Sequence, residues 1–198
     1  MQHNAHCAFI CLRSRYINIQ DVLAAVAVAL HNPVISPKML IHNTLPLVDK
    51  LIALDGSTTL FLESLRGARL KVRIESQIET NASSQLTIVR TVKLFFESAE
   101  IPILYCKSFL NKHQLTEEEY RSLMTKEIPI GIVFHRFNDA SSITKRNISI
   151  SKEMNPDLAV LLNVKSSTLF KKKYEYWVGN RGVGYICEFF NEESLARI

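Results

Sequence analysis

The sequence lacks the short motifs that identify most nucleotide-binding and hydrolytic enzymes. It contains no Gly-rich phosphate loop, no Gly-x-Ser-x-Gly nucleophile elbow and no His-Glu-x-x-His helix. It also shows no internal repeat and no low-complexity block. These absences argue against P-loop, hydrolase-elbow and zincin-type activities and against a repeat architecture.

Cysteine is scarce, with four residues in a chain of 198. So few cysteines do not make a disulfide framework for a chain of this length, which favours a reducing compartment, and we expect a cytoplasmic protein. A cluster near the start consists of His3, His6, Cys7 and Cys11. The spacing of these residues matches no standard zinc-binding pattern, so we predict a flexible N-terminal segment there and no metal site.

No apolar run is long enough to cross a bilayer. The longest covers the nine residues 22–30, whereas a membrane span needs about 20. Asp21 at the head of this run and the lack of a clear cleavage site argue against a signal peptide, even though Arg13 and Arg15 precede it. We therefore predict a helix over about residues 19–31, within an N-terminal extension of residues 1–37, and no membrane partner.

The composition is that of a globular protein with a mild positive charge. Hydrophobic residues make up 47% of the chain, and 24 Lys and Arg against 19 Asp and Glu give a net charge of +5. This balance suits an anionic partner, either a small metabolite or a nucleic acid. The lysines at 171–173, followed by Tyr174, Tyr176 and Trp177, could suggest nucleic-acid binding. A strand with alternating exposed lysines explains them better, so we expect no nucleic-acid partner.

Residues 38–198 are predicted to form one domain. Two short helices are expected at residues 45–54 and 57–65, separated by Asp55-Gly56. Alternating apolar and polar residues then predict six strands, at residues 70–78, 85–97, 101–110, 142–152, 168–178 and 183–191, with helical pieces between the third and the fourth. In the first strand, Leu70, Val72, Ile74 and Ile78 are expected to point to the same face. Short turns link the strands without the long crossovers of a parallel sheet. The predicted fold class is α+β, with an antiparallel sheet of about six strands and helices over one face.

Two charged residues occupy strand positions that the apolar–polar alternation assigns to the core. Arg90 shares a strand face with Leu86, Ile88, Val92, Leu94 and Phe96, and Glu188 shares one with Gly184, Ile186 and Phe190. A buried charge needs a partner because its desolvation costs several kcal/mol. Three arrangements are open: Arg90 and Glu188 pair with each other, one of them faces solvent at a sheet edge, or the two lie at the ends of an enclosed pocket. In such a pocket the guanidinium would bind a carboxylate, and Glu188 would serve proton transfer or bond a hydroxyl.

Five short segments around these residues resemble, in order, motifs of the bacterial chorismate lyase family. They are residues 54–59 (Leu-Asp-Gly-Ser-Thr-Thr), 88–94 (Ile-Val-Arg-Thr-Val-Lys-Leu), 129–131 (Pro-Ile-Gly), 143–148 (Ile-Thr-Lys-Arg-Asn-Ile) and 187–190 (Cys-Glu-Phe-Phe). The resemblance covers about residues 45–191. It implies a sheet of six antiparallel strands with helical flaps that enclose the ligand, and an enzyme that needs no metal and no cofactor.

The resemblance also implies a reaction and a site. The expected activity is the conversion of chorismate to 4-hydroxybenzoate and pyruvate, as in quinone precursor supply, by a monomer whose partner is this small anionic substrate. Arg90 and Glu188 would be the catalytic residues: Arg90 would bind the ring carboxylate, and Glu188 would contact the ring hydroxyl. Main-chain N–H groups around Thr58, Ile130 and Gly131 would bind the substrate. The same fold resembles effector domains of some bacterial transcription regulators, so a non-catalytic domain that binds a small aromatic acid is the alternative.

Overall fold

One sheet of six antiparallel strands organises residues 46–82, 85–125 and 127–198, which are the part of the chain that the computed structural model describes. The strand order is β1-β2-β3-β6-β5-β4. The strands are β1 Leu70–Ala82, β2 Gln85–Phe96, β3 Leu104–Asn111, β4 Ile143–Met154, β5 Thr168–Val178 and β6 Arg181–Phe190. The predicted N-terminal extension, its helix and the His/Cys cluster lie outside the described residues.

Six α-helices accompany the sheet in the described part of the chain. They are α1 Leu47–Ala53, α2 Thr58–Arg66, α3 Glu117–Thr125, α4 Ile130–Phe137, α5 Pro156–Leu161 and α6 Glu192–Leu195. Short 3-10 turns lie at Lys112–Gln114 and Ala140–Ser142. No helix among these residues is both long and apolar enough to cross a membrane.

The helices begin where the sequence supplies caps. The Thr116 hydroxyl accepts a 3.2 Å hydrogen bond from Glu119 N, and Glu119 Oε2 accepts a 2.8 Å bond from Thr116 N, which forms a capping box at the start of α3. Asn155 Oδ1 accepts a 3.0 Å bond from Leu158 N ahead of Pro156, the first residue of α5. In both helices a side chain just before the first turn accepts from an N–H group that the helix itself leaves unbonded.

Strand alternation divides the sheet into an inner and an outer face, and a register irregularity in β1 changes this assignment for one predicted residue. Ile78 was predicted to share the inner face with Leu70, Val72 and Ile74, but it is 57% exposed. The register between β1 and β2 shifts between Ile74 and Ser76, as at a β-bulge. The extra residue moves every later side chain of β1 to the opposite face, so the prediction for Ile78 was wrong.

Helices pack on the inner face in two groups. At one end, α1 and α2 cover a cluster that includes Leu51, Leu62, Leu94 and Phe190. At the other end, α3 and α4 contribute to clusters built around Phe134 and other buried side chains. Helix α5 and the residue that follows it pack instead on the outer face, where Leu158 and Leu162 contact Leu169 and Phe189, so the prediction of helices over one face holds for the other helices but not for α5. The inner layer of helices encloses the space in which the two unusual charges lie.

Candidate functional site

Arg90 lies in the middle of β2 on the inner face and is 1% exposed. Its Nη2 donates a 3.0 Å hydrogen bond to the carbonyl of Ile128, two residues before α4. Burial lowers the pKa of Arg90 to about 10, while the nearby Cys106 and Glu127 raise it. The guanidinium therefore remains protonated at neutral pH and keeps its positive charge inside the protein.

Glu188 lies on β6 and is 4% exposed. Its Oε1 accepts a 2.8 Å hydrogen bond from the Tyr174 hydroxyl. In the register of the sheet, Cys106 of β3 and Lys172 of β5 are its cross-strand neighbours. Burial, together with the charge of Glu188, raises the pKa of Tyr174 well above its usual range, so the phenol stays a hydrogen-bond donor.

Arg90 and Glu188 face the same cavity from two strands that are not neighbours. Strand β3 lies between β2 and β6, which separates the two backbones by about 10 Å at about 4.8 Å per strand. Arg90 bonds to Ile128 O, and Glu188 bonds to Tyr174. The geometry thus favours two separate polar ends over a mutual ion pair.

The N-termini of α2 and α4 form the roof of this cavity. Thr58, Ile130 and Gly131, the three residues predicted to bind substrate through the main chain, all line it together with Arg90 and Glu188. In α4 the first hydrogen bonds run from the N–H groups of Ile132 and Val133 to the carbonyl of Pro129. The N–H groups before Ile132 have no acceptor within the helix, as at every helix N-terminus, and can donate to another acceptor. Two helix N-termini beside Arg90 favour an anion.

Gly131 also fixes how closely the two helices approach. A Cβ atom at this position would lie 2.6 Å from Ser57 Oγ, on the N-cap residue of α2. No side chain fits in that gap without displacing Ser57. The glycine therefore brings the start of α4 against the start of α2.

Two buried lysines that were not among the predicted site residues lie in or beside the cavity. Lys145 of β4 is 8% exposed and lines the cavity. Lys172 of β5 is fully buried; its Nζ donates to Leu51 O at 2.7 Å and to Leu54 O. Lys172 therefore holds the C-terminal end of α1, and with it the segment that leads into α2, against the sheet.

Burial lowers the pKa of both lysines. For Lys172 desolvation is the largest cause, the charge of Lys145 lowers the pKa further, and Glu188 and Asp55 raise it, which leaves a value of about 8. For Lys145 desolvation again dominates and Glu188 opposes it. Each amine thus loses its proton more easily than the amine of a surface lysine. A negatively charged ligand nearby would raise both pKa values again.

Alternation along β5 was the signal that could have revealed Lys172. It lies on the same face as Phe170, Tyr174 and Tyr176, while Lys171 is half-buried and Lys173 exposed on the other face. Lys145 was harder to recognise, because the pattern of β4 is exposed for most of its length and only Ile143 and Lys145 are buried in it.

Comparison with known proteins supports the fold and gives one named relative. No protein-family model matches the chain. A protein of Methanocaldococcus jannaschii named "Putative lyase MJ0807" is 27% identical over 156 residues, which are 76% of this chain and 82% of that protein.

Two solved structures from Mycobacterium smegmatis are similar in fold. PhnF has a TM-score of 0.54 with 9% identity, over 72% of this chain and 66% of that one. The effector domain of PhnF has a TM-score of 0.52 with 10% identity, over 70% of this chain and 90% of that one. At these identities the likeness shows the fold alone. The predicted α+β fold with six antiparallel strands is confirmed.

Proposed function

We propose that the protein is a carbon–oxygen lyase that converts chorismate to 4-hydroxybenzoate and pyruvate. The observation that carries this proposal is one cavity with a buried guanidinium near one end and a buried, tyrosine-bonded carboxylate near the other. A cyclic acid that carries a hydroxyl opposite its carboxylate fits these two groups. The relative named as a lyase supports the same class of activity.

In the proposed mechanism the substrate provides the driving force, because loss of the enolpyruvyl group makes the ring aromatic. Arg90 and the N-terminus of α4 hold the ring carboxylate. Glu188, oriented by Tyr174, accepts the proton from the ring carbon that carries the hydroxyl. The ether bond to the neighbouring ring carbon breaks, its electron pair stays on the leaving enolate oxygen, and protonation of that enolate gives pyruvate. Positioning and one acid–base group suffice, and neither a metal nor a cofactor enters these steps.

A second function is favoured by the fold alone. The effector domain of PhnF has the same architecture, so a domain that binds a small aromatic acid without turning it over is the alternative. Both functions use the Arg90 end of the cavity for a carboxylate. They differ in whether Glu188 transfers a proton.

The deciding experiment is to incubate the purified protein with chorismate and to quantify 4-hydroxybenzoate and pyruvate by chromatography. Equal formation of both, absent from a heat-denatured sample, is the result expected for a lyase. If no product forms but chorismate or 4-hydroxybenzoate raises the melting temperature, the binding domain is the better description. If neither ligand is turned over or bound, both proposals are wrong.

A further inference from the structure

Lys145 and Tyr176 form a polar pair at the opposite side of the cavity from Arg90. They are direct cross-strand partners on β4 and β5, so their side chains share the inner face. Lys145 is 8% exposed and Tyr176 is 3% exposed, and both line the cavity. Neither has a role in the mechanism proposed above.

The ammonium group of Lys145 can donate more hydrogen bonds than the one it makes among the described residues. Nζ donates a 2.9 Å hydrogen bond to Thr58 Oγ1 at the first residue of α2, and it lies 4.4 Å from the centroid of the Tyr174 ring. Lysine has three N–H donors, and within the described part of the chain this bond to Thr58 is the one that Lys145 makes. A ligand oxygen beside Thr58 would therefore find a charged donor.

The hydroxyl of Tyr176 supports the same conclusion independently. It is buried, and among the described residues it has no hydrogen-bond partner. Buried phenols are normally bonded, because an unsatisfied polar group costs free energy. Since this hydroxyl belongs to a cavity-lining side chain next to a buried cation, an anionic ligand group is the partner that the chemistry favours.

We propose that Lys145 and Tyr176, with Thr58, form a second carboxylate subsite, so that the ligand of this protein is a dicarboxylic acid. This inference rests on the proposed function in one respect, the placement of a first carboxylate at Arg90. Strands β2 and β4 are four positions apart in the sheet, about 19 Å at about 4.8 Å per strand. Two long side chains reaching inward from these strands leave room between them for one ring and a short acidic substituent. For chorismate that substituent is the enolpyruvyl group.

The charged residues that line the cavity are compatible with a dianion. In the described part of the chain Arg90 and Lys145 are the cations of the lining and Glu188 is its carboxylate. Beside the cavity, Lys172 adds a cation, and Asp55 and Glu127 add carboxylates that raise the pKa of Lys172 and of Arg90. A ligand carboxylate at Arg90 leaves Lys145 without a counterion from the ligand, and a second ligand carboxylate supplies it.

A matched pair of unreactive ligands tests the subsite. The diacid 3-(1-carboxyethoxy)benzoate carries both carboxylates, and 3-ethoxybenzoate is the same ether without the second one. Isothermal titration calorimetry would give Kd values for the native protein, Lys145→Met, Tyr176→Phe and the control Lys173→Met, whose side chain is exposed on the outer face. Neither ligand can undergo the elimination, so the result does not depend on chorismate turnover.

The native protein should prefer the diacid by about tenfold or more, since a charge-assisted bond distinguishes the two ligands. Lys145→Met should abolish this preference and leave the Kd of 3-ethoxybenzoate nearly unchanged; Tyr176→Phe should reduce the preference in part, and Lys173→Met should not affect it. Equal affinity of the native protein for both ligands, or an equal loss of both in Lys145→Met, would overturn the subsite.

Thermal unfolding without ligand separates binding from folding. Tyr176→Phe should melt at or above the native temperature, because the deleted hydroxyl has no partner among the described residues. A diacid preference without chorismate turnover would retain the subsite and reject the lyase. If chorismate is turned over and neither Lys145→Met nor Tyr176→Phe changes the rate, the lyase is retained and the subsite is rejected.

Discussion

The Tyr174 hydroxyl donates a 2.8 Å hydrogen bond to Glu188 Oε1, and both side chains are buried on the inner face of the sheet. The two residues lie on neighbouring strands, β5 and β6, so the bond is built into the sheet and does not depend on a loop. A carboxylate with a fixed donor on one oxygen presents its other oxygen in a defined direction. This is the arrangement that a proton acceptor over a ring carbon requires.

Removal of this donor should weaken the fold. In Tyr174→Phe the buried Glu188 carboxylate loses its bond, so we expect the free energy of unfolding to fall by about 1–3 kcal/mol, measured by urea denaturation. Tyr176→Phe is the matched control, because it removes a hydroxyl from the same strand that has no partner among the described residues. Equal stability of the two variants would show that the bond to Glu188 contributes nothing.

Replacement of Arg90 should abolish most ligand binding. Arg90→Ala deletes the buried guanidinium, and Arg90→Met deletes it while filling more of its volume. For either variant we expect the Kd for 4-hydroxybenzoate to rise by about tenfold to a hundredfold, the value of a charge-assisted bidentate contact. Calorimetric titration is the measurement, with the exposed Arg69→Ala as control. Native-like affinity in a folded Arg90→Met would refute this carboxylate site.

The exchange of Glu188 for glutamine separates binding from chemistry. Glu188→Gln keeps the size and an oxygen that can accept from Tyr174, but it cannot take up a proton as a carboxylate does. We expect the Kd for chorismate to stay within about threefold while kcat falls by about a hundredfold or more, in line with general base catalysis. Glu97→Gln changes an exposed carboxylate at the end of β2 and should leave both quantities unchanged. Full turnover in Glu188→Gln would remove Glu188 from the mechanism.

The lowered pKa of Lys172 leads us to expect that the protein becomes more stable to unfolding as the pH rises. Its pKa is lowered to about 8 in the folded protein from an ordinary value of 10.5, so between these values the unfolded chain binds more protons. The free energy of unfolding should therefore increase as the pH rises from about 8 towards 10.5, because the penalty for a buried ammonium disappears. A neutral amine still has two N–H groups for the carbonyls of Leu51 and Leu54.

Urea denaturation at several pH values measures this effect. The difference between the native protein and Lys172→Met isolates Lys172 from the other groups that titrate in this range. The expected result is a shallower dependence on pH in the variant. Identical slopes in both proteins would mean that the pKa of Lys172 is not lowered.

The alternation of apolar and polar residues along single strands predicted part of the site. A period of two was enough to place Arg90 and Glu188 on the inner faces of β2 and β6, because both strands are long and regular there. It failed at Ile78, because a bulge that inserts one residue has no signature in the apolar pattern. It also could not show that Lys145 and Tyr176 are neighbours, since that depends on the register of β4 against β5, and the two residues are 31 positions apart in the chain.

The pairing of Lys145 with Tyr176 has a consequence for directed evolution. A buried ammonium and an unbonded phenol disfavour the folded state when no ligand is present, and apolar residues of similar volume would relieve both costs. Selection of random variants for heat resistance without ligand should therefore enrich methionine at position 145 and phenylalanine at position 176. The same selection in the presence of a saturating diacid should retain the native pair. Binding of the diacid to Lys145 and Tyr176 then stabilises the folded protein by more than burial of the two side chains destabilises it.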